Sequence, residues 1–177
     1  MRAFSLAEAA RWCDARASHV DAMVNAVAID TRQPMPNALF VALRGENFDA
    51  HDFIANAEAQ GATALLVSRP VQSALPQLVA DDTQRALGAL ARGLAAERAT
   101  CIIGLTGSNG KTTVKTLAQS ILSQVGLSYA NPGNRNNEIG LPLALLDQPE
   151  NALFGIYEMG AGQPGDIAYL VDIARPD

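Results

Sequence analysis

Residues 101–116, CIIGLTGSNGKTTVKT, restrict this chain to few architectures. An apolar run of strand character enters a glycine loop, and the loop opens a segment whose apolar residues recur at helical spacing. Strand, tight loop and helix form the first half of a β-α-β unit, and such units build mostly parallel sheets covered by helices. The same grammar follows downstream. LSYA reads as a strand, LPLALLD as a helix, ALFGIYEMG as a buried strand ending in Glu158, and residues 166–174 as a helix. Within KTTVKTLAQSILSQVG, residues Leu117, Ile121, Leu122 and Val125 share one stripe, which predicts that this stripe packs on the sheet. Lys115 is expected on the exposed side.

The first half is α/β as well. Ser5 and Glu8 have capping-box spacing before a short helix over residues 5–14. NAVAID and ALFVAL read as strands, HDFIANAEAQGA as a helix stopped by Gly61, TALLVS as a buried strand, LPQLVADD as a strand end and TQRALGALARGLAAER as a closing helix. The predicted organisation is a small N-terminal α/β domain, residues 1–98, followed at 99–177 by the first part of a mostly parallel-sheet domain carrying the glycine loop. The alternation at ARPD calls for another strand, so a longer parent protein is expected.

Composition narrows the function classes. The net charge of -5 is unlike a nucleic-acid-binding footprint, and no run of about 18 apolar residues suggests membrane insertion. Cys13 and Cys101 are expected to be buried thiols in a reducing cytoplasm, and Trp12 and His19 to be structural.

The loop itself points to phosphate. Glycine lets backbone amides approach an anion closely, and the helix that follows presents its unpaired N–H groups and positive dipole end. Gly107, Ser108, Asn109, Gly110, Lys111, Thr112 and Thr113 are the candidate nucleotide-binding residues. Lys111 supplies charge and Thr112 a hydroxyl for a magnesium ion. Asn109 and Thr113 either shape the turn or touch phosphate. Leu105 stands where the long form of the motif has its first glycine, so this is the shorter T-G-x-x-G-K-T-T form. Glu158, at the C-terminal end of an apolar strand, faces the crevice where open α/β sheets bind ligands and is the second candidate metal ligand. In GNRNNEIGLP, Asn136 and Asn137 suit a substrate or a metal-bound water, and equally a turn.

Taken in order, TGSNGKTT, GNRNNEIGLP and YEMGAGQPGDI resemble the central ATPase domain of the Mur ligases, which assemble the peptide stem of peptidoglycan. The stretch from IDTRQPMPN to GATALLV is similar to the UDP-binding N-terminal domain of that family's later members. The resemblance implies an ATP- and Mg2+-dependent amide ligase. Its asparagine loop looks like that of the branch joining D-alanyl-D-alanine to a UDP-N-acetylmuramoyl-tripeptide. It implies that Lys111 and Glu158 are catalytic, that Thr112 and Glu158 hold the metal, and that Asn136 and Asn137 lie beside them. It also implies that Asp30, Thr31, Arg32, Gly45, Phe48, Asp49 and His51 line the uridine-nucleotide site. Read without the family, Thr31 is an ordinary turn residue before Pro34 and His51 a helix cap, while Arg32 and Arg44 are diphosphate candidates by charge alone. The family's carbamylated lysine and C-terminal domain are expected beyond Asp177, so this chain alone is expected to bind the UDP moiety through its first half but not to turn over. The resemblance further implies a cytoplasmic, monomeric enzyme. Rival readings are the ligase of the preceding step, a folate polyglutamate ligase, and a non-catalytic nucleotide-binding module.

Overall fold

The computed structural model describes residues 1–45 and 48–177. The chain divides into two units, Met1–Leu90 and Ala91–Asp177.

In the first unit, β1 (Phe4–Ser5) leads into α1 (Leu6–Cys13). The capping box is closed on both sides: Glu8 N donates to the Ser5 hydroxyl at 3.2 Å, and Ser5 N donates to the Glu8 carboxylate at 2.8 Å. Two short strands follow, β2 (Arg16–Ala17) and β3 (Met23–Val24), the latter antiparallel to β1. Then come β4 (Ala26–Ala28), β5 (Ala38–Val41), a 3-10 turn (Ala50–Phe53), α2 (Ile54–Ala59), β6 (Ala62–Val67) and β7 (Gln77–Val79). The main sheet has the order β2-β7-β6-β5-β4, parallel throughout except for β2 at its edge.

Period-2 alternation decides which side chains meet. Phe40 and Ala38 of β5 join Leu65 and Val67 of β6 in one cluster with Ile54 and Ala57 of α2. Leu39, Leu66 and Leu78 alternate with them toward the opposite face and are also fully buried, each contributing about 2 kcal/mol through burial. Both faces of this sheet are therefore covered, as the apolar runs predict.

Helix α3 (Thr83–Ala95) carries the chain across the division. The second unit contains β8 (Cys101–Leu105), α4 (Lys111–Leu122), β9 (Ser128–Ala130), α5 (Gly140–Asp147), β10 (Phe154–Glu158) and α6 (Asp166–Ala174). Its sheet is wholly parallel in the order β8-β10-β9. Because β10 is central, its register sets Glu158 opposite Leu105, the last residue of β8 before the glycine loop. Helix α4 packs on all three strands.

Three expectations are corrected here. Cys13 is partly buried, with burial pushing its thiol up to about 12, but Cys101 is exposed at the start of edge strand β8. Of the predicted stripe, Leu117 and Ile121 of α4 and Val125 just beyond its end face outward, respectively 58%, 67% and 72% exposed, while Leu122 is half-buried. Lys115 is buried instead of exposed. The inward line of the helix runs through Lys115, Ala118, Gln119 and Leu122. Hydrophobic period identifies an apolar side, but the sheet is met here by a mixed side containing a lysine that finds polar partners.

Candidate functional site

The glycine loop lies open between β8 and α4, with residues 106–110 all exposed. Gly110 is the N-cap of α4 at φ 77°, a left-handed conformation that disfavours any side chain. No side chain caps this helix, which leaves its first-turn amides for a ligand. Lys111 folds back over the loop, its Nζ donating to Gly107 O at 2.6 Å. Ser108, Asn109 and Thr113 lie exposed on the same loop and first turn.

Directly beside the loop stands Glu158, only 5% exposed. Its carboxylate accepts from Thr112 Oγ1 at 2.9 Å and from Asn136 Nδ2 at 3.1 Å, and Lys115 Nζ lies 3.4 Å away. Burial alone would raise its pKa, but the hydrogen bonds from Thr112 and Asn136 and the Lys115 charge outweigh it, holding the carboxyl below the ordinary glutamate range. The structure thus brings Lys111, Thr112, Asn136 and Glu158 to one place. Asn137 does something different: its Oδ1 accepts from Gly140 N at 2.8 Å, bracing the turn into α5. Gly140 is required there, since a Cβ would stand 2.5 Å from Arg135 Cα.

Two participants escape sequence reasoning. Lys115 Nζ donates to Asn131 O at 2.9 Å. The Asn131 side chain clamps the Glu158 backbone, Oδ1 accepting from Glu158 N at 2.9 Å and Nδ2 donating to Glu158 O at 3.0 Å. Asn131 precedes a proline and reads as a turn residue, so its signal is lost in ordinary loop chemistry.

The donor set suits magnesium, a hard cation that takes one or two carboxylates and completes its shell with phosphate and water. Thr112 and Glu158 supply two oxygens. No cluster of three or more His, Cys, Asp or Glu side chains gathers among the described residues, so phosphate and water would supply most ligands.

In the first unit, a hollow of about 430 Å³ is lined by Ile29, Asp30, Thr31, Arg32, Phe40, Phe48, Ala50 and Phe53. Arg32 grips Asp30 through Nε at 2.9 and 3.1 Å and Nη2 at 2.7 Å. This pairing holds the Asp30 carboxyl down at about 2. Phe48 and Phe53 stack with centroids 5.3 Å apart and planes 23° apart. Phe53 was not anticipated, because an aromatic at a helix start reads as packing. Gly45 N donates to Phe48 O at 2.8 Å, closing the neighbouring loop, while Arg44 lies exposed outside the lining.

Asp49 and His51 brace this loop and are not in the lining. His51 is buried, its Nδ1 meeting Asp49 Oδ1 at 2.5 Å and its Nε2 accepting from Ser68 N at 2.9 Å. Both ring nitrogens are therefore engaged internally. Asp49 also pairs with Arg69 at 3.1 Å. The backbone hydrogen bond from His51, with those from its ring and Arg69, lowers the Asp49 carboxyl to about 2. A depressed pKa contributes stability above the ordinary carboxyl range that disappears as pH falls through about 2. Asp49→Asn should destabilise the fold at neutral pH by about 1 kcal/mol. In thermal melts the gap from the parent should narrow between about pH 4 and 2; a gap independent of pH would remove the ion-pair explanation.

The geometry can be set against known proteins. The profile described as "Mur ligase family, catalytic domain" matches residues 23–95, and that described as "Mur ligase middle domain" matches residues 105–177. The chain belongs to the Mur ligase family. UDP-N-acetylmuramoyl-tripeptide--D-alanyl-D-alanine ligase of Escherichia coli K12 is 46% identical over 157 residues, which are 89% of this chain and 35% of that protein. A crystal structure of MurF from Acinetobacter baumannii superposes with a TM-score of 0.94 at 32% identity, covering 99% of this chain and 40% of that one. MurF ligase from Thermotoga maritima in complex with ADP gives 0.79 at 34% identity, covering 86% of this chain and 36% of its own. This member of the Mur ligase family thus spans little more than a third of the length of the relatives it matches. No helix among the described residues is long and apolar enough to cross a membrane.

Proposed function

We propose that a full-length protein carrying this chain is the ATP-dependent ligase that joins D-alanyl-D-alanine to UDP-N-acetylmuramoyl-tripeptide. The observation that carries the reading is the meeting of Thr112 with Glu158 at 2.9 Å beside an open glycine loop whose lysine folds over it. That arrangement suits transfer of a terminal phosphoryl group, which asks a protein for positioning and charge neutralisation. Loop amides and Lys111 hold the outer phosphates of ATP while the tripeptide carboxylate attacks the γ-phosphorus, giving an acyl phosphate and ADP. The dipeptide amine then displaces inorganic phosphate. A magnesium ion bound through Thr112 and Glu158 supplies further charge neutralisation. No protein nucleophile is needed.

The first unit is the site for the uridine nucleotide, held in the hollow by Asp30, Thr31, Arg32, Phe48 and Phe53. Gly45, Asp49 and His51 shape the loop beside it, and Asn136 and Asn137 order the carboxylate's surroundings. A domain boundary near residues 97–101, after the end of α3, falls in the gap between profile matches that end at 95 and resume at 105, and a few residues later than the division between Leu90 and Ala91. A cytoplasmic, monomeric enzyme active in peptidoglycan synthesis completes the reading.

Phosphate release by the full-length protein tests it. D-alanyl-D-alanine should support turnover with the UDP-tripeptide and ATP. Turnover with UDP-muramoyl dipeptide and meso-diaminopimelate or lysine instead would assign the preceding step. Binding of both nucleotides in calorimetry without any turnover would leave a nucleotide-binding module.

A further inference from the structure

Lys115 is a feature of the second unit's site that phosphate binding does not call for. It leaves α4 one turn after Lys111, yet it points under the loop, with its side chain 8% exposed. Its ammonium is fixed by Asn131 O at 2.9 Å and stands 3.4 Å from Glu158 Oε2, the oxygen that also receives the Thr112 hydroxyl. Asn131 holds this lysine through its backbone carbonyl and the Glu158 backbone through its side-chain amide. One residue therefore sets the distance between the two charges.

The consequence is electrostatic. Among the described residues no group of three or more His, Cys, Asp or Glu side chains gathers around Glu158. A divalent cation arriving alone would meet one carboxylate already neutralised by a buried ammonium, together with a hydroxyl. A cation arriving on a nucleotide brings the phosphate charges that this pair lacks. We propose that Lys115 is a resident counter-ion of Glu158, a positioning residue that makes divalent-cation binding at Thr112 and Glu158 depend on the nucleotide.

The inference rests on the nucleotide reading of the glycine loop, and the experiment separates the two. The full-length protein is titrated with Mn2+, followed by electron paramagnetic resonance, with and without ADP. The parent should take up Mn2+ at this site at least about tenfold more tightly with ADP than without it. Lys115→Met should raise nucleotide-free Mn2+ affinity by on the order of tenfold, because the carboxylate loses its competitor. Lys115→Gln, which keeps a donor for the Asn131 carbonyl, should show the same gain, and Lys115→Arg should behave like the parent. A purely structural lysine would give no gain, since damage to the site weakens binding. Failure of the parent to bind ADP overturns the nucleotide reading and this inference with it. ADP binding by a parent that also holds Mn2+ equally tightly without nucleotide overturns this inference alone, as does a folded Met or Gln variant with unchanged nucleotide-free affinity.

Discussion

Lys111→Ala should lower turnover of the full-length protein by about two orders of magnitude or more, the scale of removing one oriented contact to charge developing in a transition state. Gly110 turns the chain in a left-handed conformation, and α4 starts at Lys111 without a side-chain cap. On the proposed reading, amides there would contact phosphate whatever side chain occupies position 111. The variant should therefore still bind ADP, with loss concentrated in the chemical step. The ammonium already lies over the loop, 2.6 Å from Gly107 O, so reaching a phosphate oxygen exchanges one acceptor for another without reorganising the helix. Steady-state phosphate release measures the effect, and calorimetry with ADP checks that the loop survives. Near-parental turnover would remove Lys111 from the mechanism. A parallel loss of ADP binding and folding would make its role structural.

Much of this site is legible in sequence because its parts obey local rules. A loop rich in glycine between a strand and a helix has few uses, and the three-part grammar from Cys101 to Leu122 appears in the structure with the expected order. Glu158 is the only charge in the apolar strand β10, and parallel register alone brings it to the loop beside β8. The strands at β1, β2 and β3 were not legible, since two residues cannot display a period. In the first unit, the capping box at Ser5 was legible for the opposite reason: both partners lie within one helical turn.

What stayed hidden depends on partners distant in sequence. The burial of Lys115 is decided by the carbonyl of Asn131, sixteen positions away, and by a carboxylate farther still. A lysine on a helix reads as exposed until a neighbour is known to receive it. The same blindness explains the α4 stripe, whose periodicity is genuine while its orientation toward the sheet is not encoded locally. His51 shows the converse. A histidine in a polar loop invites a ligand-binding role, but Asp49 and Ser68 consume both ring nitrogens. Phe53 completes a stacked pair with Phe48 only because the 3-10 turn brings the two rings onto one side of the hollow.

Glu158→Gln should be the second large effect, and a double variant tells its two components apart. The amide keeps the shape of the side chain and an acceptor for Thr112 or Asn136, but it cannot neutralise a cation. Turnover should fall by about two to three orders of magnitude if the carboxylate carries metal charge at the transferring phosphoryl. Stability should fall as well, because Lys115 is then buried without its counter-ion, a loss of about 3 kcal/mol for breaking one side of a buried pair. Adding Lys115→Met to Glu158→Gln removes the orphaned ammonium and should restore most of that stability in urea denaturation, yet it returns no charge to the metal site. The double variant should therefore be stable and still slow. Recovery of turnover together with stability would mean that Glu158 acts only through the fold, and its role as a metal ligand would have to be abandoned.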